Sequence, residues 1–143
     1  MKSGQNWIAF ALGSAHFVGL TAHLGKRGVA GINSNLATFI RTIVILFVTA
    51  AILFLRKEWR PISEVSSSTW TFLVLPGIAT GLSWLCYYRA LQLGPVSKVA
   101  PNDKLSVVVA VVLGIVFLRE ALTWPVAIGG ALIVAGSVVM IAF

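Results

Sequence analysis

The chain has 143 residues, of which 58% are hydrophobic and only 10% charged, and its formal net charge is +7. Ordinary soluble domains run to about 45–50% apolar and about 25% charged residues, so this sequence lacks the polar side chains to cover a soluble fold of its length. An excess of Lys and Arg would point a soluble domain toward nucleic acid. Here the basic residues sit between apolar stretches with no aromatic-interleaved groove, which argues against a nucleic-acid partner and for anionic lipid headgroups.

Five apolar runs follow one another, each close to the roughly 20 residues a helix needs to cross a bilayer. The first covers about 7–24; a cleavable signal has an apolar core of only about 7–15 residues, so this run is expected to stay as a helix. Lys26, Arg27 and Gly28 close it, and a Gly/Asn/Ser loop leads to the second run, about 36–55, which stops at Arg56-Lys57-Glu58. After a serine-bearing loop the third runs over about 70–91 and ends before Gly94-Pro95, a pair that does not continue a helix easily. The fourth covers about 97–118, and the fifth about 124–143 with Pro125 in its first turn, where a missing N–H does no harm. Trp7, Trp59, Trp70 and Trp124 all fall near span ends, where amphipathic rings favour the interface. Backbone polar groups in hydrocarbon must be paired internally, which leaves helices or a closed barrel. Long apolar runs without period-2 alternation exclude the barrel. The sequence thus predicts an all-α integral membrane protein, a five-transmembrane-helix bundle forming one domain over 1–143.

Small residues recur every fourth position. Gly77 and Gly81 do so in the third span, Ala110 and Gly114 in the fourth, and Ala127, Ala131 and Ala135 in the fifth. Lipid tails are as apolar as leucine, so helices associate by close packing at such residues; these are predicted helix-packing or dimer faces. Cys86, the single cysteine, has no disulfide partner and is expected to be a small buried apolar residue. Neither a metal nor a cofactor is implied.

Five spans place the termini on opposite sides. The side holding the N-terminus then carries Lys2, Arg56, Lys57, Arg60 and Arg119, against Lys26, Arg27, Arg41, Arg89, Lys98 and Lys104 on the other. That near balance gives almost no orientation under the positive-inside rule. It suits a chain inserting both ways round, and equally a chain of one orientation with little bias.

The informative charges lie inside the spans. Arg41 is roughly 8 Å deep in the second span, and Asp103 and Lys104 are roughly 9–10 Å deep in the fourth. Asp103 is expected to pair with Arg41, because neighbours on a continuous helix point about 100° apart and Asp103 and Lys104 then cannot meet. The pair reads either as a structural staple or as part of a substrate or proton path. His16, near the middle of the first span, reads either as a proton relay or as a hydrogen bond to a neighbouring helix. Pro101 puts irregular backbone beside these charges. No nucleophile elbow, phosphate loop or zinc-protease motif is present, and a single intramembrane acid offers no catalytic pair, so an enzyme is not expected.

Two stretches carry a family likeness: Asn33-Ser34-Asn35-Leu36-Ala37-Thr38-Phe39-Ile40-Arg41-Thr42, and the run from Tyr87 through Gly94-Pro95 to Pro101, followed by Asp103 to Val108 and closed by Phe117-Leu118-Arg119-Glu120. The sequence resembles the EamA-domain branch of the drug/metabolite transporter superfamily in its short, single-repeat form. Asn102 and His16 depart from the apolar residues expected there. The resemblance implies a secondary transporter, an exporter of small metabolites or drug-like molecules working by alternating access. One repeat of five helices would be completed by an antiparallel homodimer or a paired five-helix chain. It implies a multi-pass protein of a bacterial or archaeal inner membrane. Arg41, Asp103, Lys104, His16 and Asn102 become candidates for the substrate or proton path. A non-transporting membrane subunit, or half of a flippase for a lipid-linked substrate, is the alternative.

Overall fold

Hydropathy and end signals together set the helices. In a computed structural model of the chain, which describes residues 6–59, 61, 63 and 65–143, the elements are α1 (Asn6–Gly28), α2 (Ser34–Leu55), α3 (Ser67–Leu93), α4 (Val96–Asp103), α5 (Ser106–Leu118) and α6 (Trp124–Ala142). Lys2 and Arg60, which enter the charge comparison, lie outside the described residues. Five helical stretches are long and apolar enough to cross a membrane, α4 and α5 together forming the fourth, and no strand occurs among the described residues.

α2 and α3 start where a side chain satisfies an orphan amide. Asn33 stands in extended conformation before α2, and its side-chain oxygen accepts from the Asn35 amide at 2.8 Å. Gly31, with φ of +85°, makes the turn that brings the chain to this cap. Removing the cap with Asn33→Ala should lower stability by about 1 kcal/mol, read from thermal unfolding of the detergent-solubilised protein. Ser66 caps α3 in the same way, accepting from the Thr69 amide at 3.2 Å. At its far end α2 closes with Lys57 left-handed (φ 53°), while Glu58 N–H donates to the Leu53 carbonyl at 3.1 Å and Lys57 N–H to Phe54 at 3.2 Å. That is the Schellman arrangement, adopted here without its usual glycine. Hydroxyls within the spans are satisfied locally. Thr38, Thr42 and Thr49 each donate to the carbonyl four residues back, at 2.8 to 2.9 Å, as hydrocarbon offers no other acceptor.

The fourth span is not one helix. α4 ends at Asp103 and α5 begins at Ser106. Pro101 cannot donate to the carbonyl of Ser97. Across the break Lys104 N–H bonds the Pro101 carbonyl at 3.0 Å and Leu105 N–H the Asn102 carbonyl at 3.1 Å, both three residues back. Tight turns of this kind keep the amides paired while the axis is interrupted.

The chain divides into two compact units. One comprises residues 27–92, with α2 and α3. Its buried residues, Val29, Ser34, Ala37, Thr38, Tyr88 and Leu91, come from the loop before α2, the start of α2 and the end of α3. Gln92 binds that loop to α3, its amide donating to the carbonyls of Val29 at 3.1 Å and Ile32 at 2.6 Å. The other comprises residues 1–26 and 93–143. There the Lys26 ammonium donates to the Gly94 carbonyl at 2.8 Å, and the buried Ser137 hydroxyl of α6 donates to the Pro101 carbonyl at 3.0 Å. Ser137 thus holds the carbonyl at the break in the fourth span.

Little of the apolar surface is covered by the chain itself. Few residues of the spanning helices are buried, and Phe10, Phe54, Phe117 and Trp124 stand largely exposed. Cys86, expected to be buried, is exposed as well. A thiol is apolar enough to sit on a hydrocarbon-facing surface, so its place in an apolar run carries no information about burial.

Candidate functional site

Arg41 falls two turns into α2, about 10 Å from its start. In the same unit Trp84 and Tyr88 are four residues apart on α3, hence on one face, with Tyr87 three residues from Trp84. The Arg41 guanidinium carbon lies 3.4 Å from the centroid of the Trp84 ring and 5.9 Å from that of Tyr88. Trp84 is itself braced edge-on by Tyr87 at 5.3 Å and by Tyr88 at 5.8 Å. A guanidinium this close over an indole ring makes a favourable cation–π contact, worth about 2 kcal/mol or more once desolvated. The cation expected to seek a carboxylate therefore has an aromatic partner within its own unit. Trp84 is not among the tryptophans that mark span ends in the sequence, and its role follows from the structure. Its signal was there nonetheless: it is the tryptophan set back from the span ends, with a tyrosine at i+4.

In the other unit the Asp103 carboxylate meets the Lys104 ammonium at 3.6 Å. This overturns the expectation that the two neighbours point too far apart to pair. The 100° rule holds within a continuous helix, and the helix stops between them. Both side chains are about half exposed. Asn102 is exposed beside them, and Lys98, one turn before Asn102, donates to the Ile141 carbonyl of α6 at 3.1 Å. The fourth span thus gathers a carboxylate, an ammonium and an interrupted backbone at one depth. His16 is exposed on α1, its ring edge-on to neighbouring Phe17 at 5.9 Å.

The small residues fall in two situations. Ala127, Ala131 and Ala135 line an apolar groove of about 410 Å³ between α5 and α6, with Val108, Val111, Val112, Val126, Gly130 and Val134 as the other walls. At Gly77 and Gly81 a Cβ would meet nothing within 4 Å among the described residues. Gly114 differs, since the Glu120 carboxylate folds back to within 2.9 Å of the position its Cβ would take. No group of three or more His, Cys, Asp or Glu side chains that could hold a metal occurs among the described residues.

The EamA-like transporter family matches the chain over residues 5–142. The chain belongs to that family. A protein of Sinorhizobium sp. named "Uncharacterized transporter in cobO 3'region" is 50% identical over 139 residues, covering 97% of this chain and 99% of that protein. No solved structure matches. EamA-like membership and the five apolar helices make this a multi-pass membrane protein of a transporter family, whose surroundings are the lipid bilayer and whose ligands are small molecules.

Proposed function

We propose that this EamA-like chain is a secondary transporter of the bacterial or archaeal inner membrane, exporting small metabolites or drug-like molecules, with no catalytic activity of its own. The observation that carries the reading is the interrupted fourth span, with Asp103 and Lys104 at the break. Transporters place ligand and coupling-ion sites where spanning helices are discontinuous, because only there do backbone groups and charges face a cavity. Arg41, His16 and Asn102 belong to the same substrate or proton path in this reading.

The working unit is an antiparallel homodimer. Three features support it: a single set of five spans, the nearly even division of basic residues between the two sides, and apolar helix faces that the chain leaves uncovered. The α5–α6 groove beside Ala127, Ala131 and Ala135, and the open Gly77–Gly81 face, are the surfaces a second copy would use.

A topology map tests the dimer. Single cysteines at Ser3 or Phe143, in a Cys86→Ala background, are labelled in intact cells with an impermeant thiol reagent. Labelling of both ends in similar fractions is expected. Labelling of one end alone would refute dual insertion and leave a paired five-helix chain, or a non-transporting subunit, as the arrangement.

A further inference from the structure

The guanidinium of Arg41 is held in an unusual state. Its carbon lies 3.4 Å over the Trp84 ring, and its N–H donors make no hydrogen bond to the described residues of its unit. Between residues 27 and 92 the only acids are Glu58 and Glu64, both beyond the end of α2. That end is about 21 Å along the helix from Arg41. Glu58 lies within 3.9 Å of Arg56. The ring stabilises the cation without neutralising it, so within the described residues of this unit the positive charge stands in a span without a carboxylate partner. Two tyrosines brace the ring beneath it, so the fork is preorganised, and a planar fork matches a carboxylate or phosphate with two parallel bonds. A cationic ligand is disfavoured here, as Arg41 lies over one face of the indole and would repel it.

We propose that Arg41, clamped on Trp84, is an anion-binding element, and that the ligands of this protein are small organic anions with an apolar body, the carboxylate on Arg41 and the body against the half-buried Tyr87 ring. This deepens the transporter reading and rests on it for the word substrate, though binding itself can be measured without transport.

The test uses the full chain with Trp84 as its only tryptophan, the other four replaced by phenylalanine, in phosphatidylcholine nanodiscs. Trp84 emission is followed during titration with benzoate, with tetraphenylphosphonium, and with increasing phosphatidylglycerol in the bilayer. Benzoate is expected to change the emission saturably, with half-saturation raised about tenfold or more in Arg41→Gln and less in Arg41→Lys. Calorimetric titration of benzoate into the natural five-tryptophan chain reads the same binding if the replacements disturb the fold. A response to tetraphenylphosphonium without one to benzoate would overturn the proposal. A response to phosphatidylglycerol alone would do so too, making Arg41 a lipid headgroup ligand. Saturable benzoate binding without solute flux in proteoliposomes would sink the transporter reading and leave the anion site standing; flux of other solutes without benzoate binding would do the reverse.

Discussion

Trp84→Leu is expected to destabilise the unit formed by α2 and α3 by about 3 kcal/mol, a large loss for one exchange of apolar side chains. The size follows from what the ring does. Its contact with Arg41 is worth about 2 kcal/mol in a desolvated setting, and its two edge-on tyrosine contacts about 0.5–1.5 kcal/mol each beyond their area. Leucine keeps the hydrophobicity and loses both. The cation–π share can be isolated, because it vanishes if Arg41 is already gone. In an Arg41→Leu background the same Trp84→Leu change should cost about 2 kcal/mol less. The four proteins, unfolded reversibly by titrating sodium dodecyl sulfate into mild detergent, give the coupling directly. A coupling near zero would mean that the 3.4 Å stack contributes nothing. Arg41→Leu alone should destabilise less than Trp84→Leu, as removing a cation from a span relieves a cost while removing its ring exposes one.

The same residues show which features the sequence carries plainly. Spans are legible because hydrocarbon admits no unpaired backbone, so length and hydropathy alone leave helices as the answer. Their ends are legible where a side chain does the capping, as at Asn33, and blurred where it does not: α3 begins at Ser67 rather than near Trp70 because Ser66 supplies the cap. The departures from expectation have separate physical causes. Pro101 was visible, but where its interruption would fall depended on which carbonyls the following amides could reach. They reach Pro101 and Asn102, and the helix stops between Asp103 and Lys104. Burial was illegible for a different reason. In water, apolar means inside; in a bilayer an apolar residue is equally content facing lipid, which is why Cys86 could not be placed. The partner of Arg41 was hidden because charge arguments look first for opposite charge, and the ring that holds it carries none.

Charge removal at the break in the fourth span separates a staple from a working site. Asp103→Leu leaves Lys104 without its partner, and Lys104→Leu leaves Asp103 alone. An isolated charge on a spanning helix costs up to about 3 kcal/mol on insertion-derived scales, and that figure is an upper bound here because both side chains are about half exposed. Each single variant should therefore lose stability, while the double variant Asp103→Leu, Lys104→Leu should regain most of it, both groups being absent together. Unfolding in detergent reads the three values. Single variants as stable as the parent would show that the 3.6 Å pair does no structural work. The double variant then carries the functional question. It restores the fold without restoring either charge, so efflux of a solute that the parent chain exports should fall to background if the carboxylate or the ammonium handles ligand or proton. Efflux at the parent level from a stable double variant would make the pair a staple and leave Arg41 and His16 as the remaining charged candidates for the path.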